Sequence, residues 1–105
     1  MRMMLKVNIP TDAGNVGIAN GALQSTIKKC LADLKAEAAY FTEDAGDRTA
    51  YIFFDMTDSS QLPAIAEPWF LALNAKLTVR PAMNLEDLAK AGPAIEAAVK
   101  THWKE

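Results

Sequence analysis

The sequence predicts an α+β fold, with one four-stranded antiparallel sheet and its helices on a single face. Three observations lead to this prediction. The chain has 105 residues, enough for one hydrophobic core but not for two. Four segments show the alternation, or the aromatic and β-branched residues, that are typical of strands, whereas others repeat apolar residues every three or four positions, as helices do. Along the chain these segments follow the order β-α-β-β-α-β, and a helical tail comes last.

The first strand is predicted over residues 4–9. Leu5, Val7 and Ile9 alternate there with polar residues, and Pro10 ends the strand because it has no N–H for a ladder bond. A long helix is expected from about residue 15 to residue 35, since its apolar residues share one face. Three glycines weaken the beginning of this helix.

A β-hairpin is predicted next, from residues 38–42 and 50–56. The six residues between them favour a turn. The hairpin contains five of the eight aromatic residues of the chain, namely Tyr40, Phe41, Tyr51, Phe53 and Phe54. Because Tyr51 to Phe54 are apolar on both sides of the pleat, we expect this strand to be covered on both faces.

The second half of the chain is predicted to contain a helix, a strand and a helical tail. Asp58 and Gln61 have the spacing of a capping box, and Pro68 predicts a kink or break over residues 64–68 of the helix that follows. The last strand is predicted over residues 76–81. In the tail helix, about residues 84–103, one apolar stripe continues across an interruption at Gly92-Pro93: Leu85, Leu88, Ile95, Val99 and His102 or Trp103.

The element order also predicts which face of the sheet carries the helices. Right-handed crossovers place both helices on one face and give the strand order 4-1-3-2, the pattern of the ferredoxin-like fold. The helix side then collects Leu5, Val7, Ile9, Ile52, Phe54, Met56, Leu77 and Val79. We call the opposite side the open face; it holds Lys6, Asn8, Tyr51, Phe53, Asp55, Thr78 and Arg80. Its aromatic residues are too large and apolar to remain in water as a cluster, so a partner chain is expected to cover them.

With this element order, chain length and aromatic-rich hairpin, the chain resembles the dimeric α+β barrel superfamily from Met4 to about Pro81. The resemblance implies a homodimer in which two ferredoxin-like protomers join through their helix-free faces. The superfamily includes cofactor-free monooxygenases of aromatic polyketides, haem-degrading monooxygenases, isomerases of small lactones and ligand-binding proteins. The resemblance therefore implies the form of the protein and leaves its activity open.

The polar residues of the open face are the first candidate site. A carboxylate, Asp55, beside Lys6 or Arg80 would orient an anionic or enolisable ligand. The alternative is that Asp55 forms an ion pair that fixes the register of a dimer. If the chain is an enzyme, proton transfer or cofactor-free oxygen chemistry would use Asp55 or Glu67 as the base and Arg80 or Asn8 to hold an oxyanion.

An apolar pocket is the second candidate site. Phe54, Trp69 and Phe70, between the sheet and the helices, or Tyr51 on the open face, would bind a small apolar or aromatic ligand. The alternative for Trp69 is a purely structural place in the core, because it lies on the apolar stripe of its helix. Asn8 and Trp69 are similar in type and place to residues of the haem-degrading members, but no histidine lies between Trp69 and Ala91 to bind the iron.

Composition excludes several classes of function. Eleven Lys and Arg residues against 13 Asp and Glu residues give a formal net charge of −2, so neither a nucleic-acid partner nor a membrane partner is expected. A single cysteine, Cys30, and a single histidine, His102, leave no intrachain disulfide and no expected metal or cofactor. No apolar run spans a membrane, and the start lacks a signal-peptide pattern, which predicts a cytoplasmic protein whose first residue is Met1, Met3 or Met4.

Taken together, these features predict one domain over residues 1–105 that forms a homodimer and binds a small apolar or aromatic ligand without a metal. Two alternatives stay open. One is a cofactor-independent monooxygenase or isomerase, and the other is a non-catalytic interaction module whose open face serves only assembly. The sequence predicts neither the ligand nor whether the protein is an enzyme.

Overall fold

Four strands and five α-helices make up residues 1–104, the part of the chain that the computed structural model describes. In chain order they are β1 Arg2–Ile9, α1 Thr11–Asn20, α2 Ala22–Leu34, β2 Ala38–Asp44, β3 Asp47–Asp55, α3 Leu62–Leu73 after a 3₁₀ turn at Ser59–Gln61, β4 Lys76–Pro81, α4 Leu85–Lys90 and α5 Gly92–His102. The sheet has the order β2-β3-β1-β4, and every neighbouring pair is antiparallel. The predicted α+β class, ferredoxin-like arrangement and strand order are confirmed.

The register divides the sheet into the two predicted faces. Leu5 pairs with Ile52 on one side and Val79 on the other, while the next residue, Lys6, pairs with Tyr51 and Thr78. The helix side forms the core, in which the largest fully buried side chains are Trp69, Phe54, Leu5, Ile52, Leu73 and Val7. Burying each of the large apolar side chains contributes roughly 1.5–3 kcal/mol to folding.

The long helix predicted over residues 15–35 is wrong in two respects. It begins earlier, directly after Pro10, and Gly21 divides it into α1 and α2. Gly21 has φ +83°, a left-handed conformation that only glycine adopts without steric cost, and its N–H donates to the carbonyl of Ile18. Gly17 has a packing role instead, because a methyl group there would lie 3.1 Å from Cδ2 of Leu73.

The β2–β3 turn is shorter than the predicted six residues. Ala45 and Gly46 alone form it, with φ +54° and +83°, which are the two positive values that a two-residue type I′ turn requires. The amide of Gly46 also donates to the carboxylate of Glu43, at 3.0 Å. Both strands therefore extend two or more residues further than predicted, to Asp44 and from Asp47.

The predicted capping box before α3 is confirmed. The carboxylate of Asp58 accepts from the amide of Ser60 at 2.8 Å, and the side chain of Gln61 accepts from the amide of Asp58 at 3.2 Å. The first of these bonds holds the pKa of Asp58 below its ordinary value. The predicted break is not formed, since α3 continues through Pro68. Pro68 cannot bond the carbonyl of Ala64, but both residues are exposed, so water can replace the missing donor.

The tail, α4 and α5, extends away from the rest of the chain. Asn84 and Asp87 form a second capping box, and Arg2 donates to the carboxylate of Asp87 at 2.9 Å, which fixes α4 to the end of the sheet where β1 begins. Neither helix buries a residue. The whole molecule measures 57 × 30 × 21 Å, so the tail gives it an elongated shape.

Candidate functional site

The centre of the open face is aromatic. Tyr40 of β2 pairs with Tyr51 of β3, and Phe53 pairs with Met4 of β1. Tyr51, Phe53 and Met4 are half-buried, whereas Tyr40 is 65% exposed. An apolar centre of this kind, with charged residues around it, has the composition of a protein–protein interface.

The polar residues at one end of this face bond to one another. The Lys6 ammonium donates to the Asp44 carboxylate, and this bond raises the pKa of Lys6. The same ammonium lies 5.9 Å from the centre of the Tyr51 ring. The Asn8 amide donates to the hydroxyl of Thr49 at 3.2 Å and to the carbonyl of Asp44 at 3.3 Å. Lys6 therefore pairs with Asp44 and not with Asp55, because β2 extends further than the sequence predicts.

The candidate catalytic residues lie apart from one another. Asp55 ends β3 opposite Arg2 and accepts from the N-terminal amino group at 2.6 Å. Arg80 is exposed on β4, opposite Met4. Asn8 lies at the other end of β1, and Glu67 is exposed on α3. No pairing of a base with an oxyanion-binding group arises from these positions, and their catalytic roles stay predictions.

A cleft lies on the other side of the sheet, between the hairpin and the helices. We call it the Trp69 cleft; its volume is about 330 Å³ and its lining residues are Ile9, Leu23, Ile27, Phe41, Thr42, Arg48, Thr49, Ala50 and Trp69. Apolar side chains dominate this wall. The hydroxyl of Thr49 is already engaged, since it donates to the carbonyl of Asp47 at 3.0 Å.

Arg48 is the charged residue of this cleft. It pairs with Ile9 in the sheet, and its Nη2 donates to Oδ1 of Asn15 in α1 at 3.0 Å. The guanidinium passes close over α1, where a methyl group on Gly14 would lie only 2.6 Å from Nη1. Gly14 therefore allows the guanidinium to lie beside the cleft. The guanidinium has five N–H donors, more than its bond to Asn15 uses.

The indole N–H of Trp69 is unpartnered. Trp69 is fully buried, and among the described residues its Nε1 has no hydrogen-bond acceptor. A buried donor in this condition costs roughly 1–3 kcal/mol relative to a bonded one. Since most buried donors in native structures are bonded, this N–H is an exception that requires an explanation.

A second cavity, of about 260 Å³, lies between α2 and α3. Its lining residues are Cys30, Asp33, Leu34, Phe54, Asp55, Gln61, Ala64, Ile65 and Pro68. Burial, and to a lesser degree the charge of Asp33, raises the pKa of the Cys30 thiol. The thiol is therefore protonated and unreactive at neutral pH.

The predicted ligand-binding residues occupy different surfaces. Trp69 lines the Trp69 cleft, Phe54 lines the second cavity, Phe70 is 43% exposed, and Tyr51 lies on the open face. Sequence reasoning missed Ile9, Phe41 and Arg48 as lining residues of the cleft. The alternation of the hairpin contained part of the signal, because it places Phe41 on the side of the sheet opposite Tyr40.

No three or more His, Cys, Asp or Glu side chains come together as a possible metal site within residues 1–104. In the same residues, every helix is too short or too polar to cross a membrane.

Comparisons with known proteins support the fold alone. No family model matches the sequence, and no curated protein matches it. A crystal structure of a formyltetrahydrofolate deformylase from Pseudomonas putida KT2440 aligns with a TM-score of 0.51 and 12% identity, over 78% of this chain and 29% of that chain. The de novo designed protein Ferredog-Diesel aligns with a TM-score of 0.47 and 12% identity, over 77% of this chain and 85% of the designed one. The chain thus corresponds to less than a third of the deformylase, with which it shares a fold.

Proposed function

We propose that this protein binds one small, mostly apolar molecule in the Trp69 cleft, through a single hydrogen-bond acceptor on that molecule. The proposal is carried by Trp69, which helps to line a cleft of about 330 Å³ and whose buried Nε1 has no hydrogen-bond partner among the described residues. This volume falls within the range of small-molecule sites, about 300–1,000 Å³, which combine apolar walls with a few polar groups.

The chemistry of the cleft favours a carbonyl compound with an aromatic or alicyclic body. A carbonyl oxygen accepts the indole N–H, and the apolar walls exclude water from the rest of the molecule. Arg48 extends the preference to carboxylates, because its guanidinium donates only one described side-chain bond, to Asn15. No cofactor or metal is part of the proposal.

The test compares two ligands of one shape, acetophenone and ethylbenzene, of which only the ketone has an acceptor. In a Trp103→Phe variant the single remaining indole N–H belongs to Trp69, so its ¹H–¹⁵N resonance reports on the site. We expect acetophenone to bind roughly tenfold or more tightly than ethylbenzene, the factor that corresponds to about 1.4 kcal/mol, and to shift this resonance downfield.

A matched variant, Trp69→Phe, keeps an aromatic ring and removes the donor. In this variant we expect the preference for acetophenone over ethylbenzene to fall to about twofold or less, while circular dichroism shows a folded protein. Equal affinity of the two compounds in the Trp103→Phe protein would contradict the proposal and assign the indole N–H to an ordered water.

The same proposal includes a homodimer through the open face, that is, a dimeric α+β barrel. Its support is the aromatic centre of that face and the formal net charge of −2, which causes little repulsion between two copies. We expect sedimentation velocity to show a dimer at micromolar concentration. Phe53→Lys on the open face should weaken the dimer by about 30-fold or more, as loss of an interface hot spot does.

Phe70→Lys is the control, because Phe70 is 43% exposed on α3, on the other side of the sheet. It should leave the dimer unchanged within about twofold. A monomeric wild-type protein at 100 μM would contradict the dimer without touching the ligand site. Binding is proposed ahead of the monooxygenase or isomerase alternative because Asp55, Glu67, Arg80 and Asn8 do not converge; the cytoplasmic location stays a prediction.

A further inference from the structure

The tail presents an apolar stripe that its own chain does not cover. We call α4 and α5, with the flanking residues 84 and 103, the arm. Its large apolar residues are 45% to 83% exposed: Leu85, Leu88, Ile95, Val99 and Trp103. Ile95 and Val99 are four residues apart, so they lie on one side of α5. Monomeric proteins seldom expose a contiguous apolar patch larger than about 300–600 Å² without a binding role.

The arm has a defined attachment and a free length. The Arg2–Asp87 ion pair of 2.9 Å and the capping box at Asn84 hold α4 at the end of the sheet. Beyond Ala91, α5 continues for 11 residues, none of them buried. The radius of gyration is 17.4 Å, whereas a compact chain of this length has about 13 Å. The stripe of α5 is therefore left without a cover by its own chain.

We propose that the arm of one chain packs on a second copy of the chain, whose arm packs on the first in return. This inference rests on the homodimer proposed above and specifies how it is held together. In the open-face dimer the two aromatic sheet faces cover each other, and the apolar helix that each chain leaves without a partner packs on the other copy in a symmetric exchange.

The area of these surfaces agrees with a second copy as the occupant. A stable interface takes about 800 Å² from each partner. An aromatic side chain such as Trp103 buries on the order of 150–250 Å² when it is covered. The exposed stripe of the arm alone therefore provides several hundred Å². The aromatic centre of the open face, where Tyr40 is 65% exposed, contributes the rest.

The charges of the arm disfavour a lipid surface or a nucleic acid as the occupant. Residues 84–103 carry three carboxylates, Glu86, Asp87 and Glu96, and two amines, Lys90 and Lys100. An amphipathic helix that binds anionic lipids or nucleic acid carries an excess of basic residues on its polar face. An arm without an excess of basic residues matches a partner of small net charge, such as this chain itself.

The test uses two full-length double variants that add the same charge to opposite sides of α5. Ile95→Glu with Val99→Glu places two carboxylates on the apolar stripe, and Ala97→Glu with Thr101→Glu places two on the far side. We expect sedimentation velocity to show that the dissociation constant of the dimer rises about 30-fold or more in the first variant and less than threefold in the second.

Trp103 gives a second readout, which is measured on the wild-type protein. It is 68% exposed in the single chain, whereas Trp69 is fully buried. As the concentration of the wild-type protein rises through the dimer midpoint, the emission of Trp103 should shift to shorter wavelength and acrylamide should quench it less. The Trp103→Phe protein should show neither change.

The outcomes separate this inference from the dimer itself. A wild-type protein that is monomeric at 100 μM contradicts both the arm exchange and the open-face dimer. The arm exchange is contradicted if the Ile95→Glu/Val99→Glu variant dimerises as well as the wild type and the emission of Trp103 does not depend on concentration. The open-face dimer is unaffected by that result. The arm exchange is also contradicted if the wild-type protein sediments with vesicles of 70% phosphatidylcholine and 30% phosphatidylglycerol and the same variant does not. That result would assign the arm to a lipid surface.

Discussion

At the scale of the residue, two buried polar side chains differ in their hydrogen bonding. Thr49 is 3% exposed, and its hydroxyl both donates to a carbonyl and accepts from Asn8. Trp69 is fully buried, and its N–H bonds to nothing among residues 1–104. Since native proteins satisfy most buried donors, the unbonded N–H of Trp69 is the observation on which the proposed ligand site rests.

The Cys30 thiol is expected to react slowly. Because burial raises its pKa, the thiolate fraction at pH 8 is lower than in the unfolded chain, and the sulfur is also shielded. We expect Ellman's reagent to modify the native protein at least tenfold more slowly than the protein in 6 M guanidinium chloride. The raised pKa stabilises the fold below the unfolded-state value, and this contribution is lost as the pH rises through the folded-state value.

Equal rates in the native and the denatured protein would contradict this expectation and place the thiol in an open cavity. A Cys30→Ala variant, which should show no reaction, controls for non-specific absorbance changes.

Side-chain partners were less predictable than side-chain directions. The alternation of the strands correctly placed Lys6, Asn8, Asp55 and Arg80 on the open face. Their partners depended on where β2 ends: its extension to Asp44 brings a carboxylate to Lys6 that the shorter predicted strand lacks. A period-two pattern determines which side a residue faces, whereas its neighbours depend on register and turn length.

At the scale of the element, the β2–β3 turn contains an avoidable strain. Ala45 adopts φ +54°, which costs a residue with a β-carbon roughly 1–2 kcal/mol, and Asn is favoured at this position before a glycine. We expect Ala45→Asn to raise the free energy of unfolding by about 1 kcal/mol in urea denaturation. Ala97→Asn, on exposed α5, is the control and should lower it slightly, since Asn is a poorer helix former than Ala.

The anchor of α4 should weaken in acid. The backbone bond from Asn84, and next the bond from Arg2, hold the pKa of Asp87 below its ordinary value of 3.8. A lowered folded-state pKa stabilises the fold above the unfolded-state value, and this contribution is lost as the pH falls through the folded-state value. We expect Asp87→Asn to be less stable than wild type at pH 7, with the difference shrinking towards pH 2.

Glu86→Gln is the matched control for the anchor, because Glu86 is exposed and neighbours Asp87 in the same helix. Urea denaturation of the two variants at both pH values should show a difference from wild type only for Asp87→Asn. A difference that stays constant with pH would contradict the assignment of a charged anchor.

Some element ends were predictable from local signals. The last strand, 76–81, has its predicted bounds, and the predicted capping box of Asp58 and Gln61 is formed. Gly21 and Pro68 show the limit of such signals. A glycine inside a helical pattern is compatible with continuation or with a left-handed end, and Gly21 takes the left-handed end. A proline inside a helix leaves one carbonyl without its donor, which is tolerated where that carbonyl is exposed to water.

At the scale of the whole molecule, dimerisation should link stability to concentration. Because association favours the folded chain by mass action, we expect the wild-type Tm to rise by about 2–5 °C for each tenfold increase in protein concentration, as followed by circular dichroism. Phe53→Lys should unfold at a Tm independent of concentration. A wild-type Tm that does not change between 1 and 100 μM would contradict the dimer.

The strand order β2-β3-β1-β4 leaves two edges of unequal protection. The β4 edge carries Lys76, Arg80 and Pro81, residues that block the pairing of a further strand. The β2 edge exposes Tyr40 and Phe41, and its only charges, Glu43 and Asp44, lie at one end. Of the two edges, we therefore expect β2 to be the one along which sheets of separate molecules pair when the protein aggregates. The colloidal stability of the protein is therefore limited by one strand at the rim of its sheet.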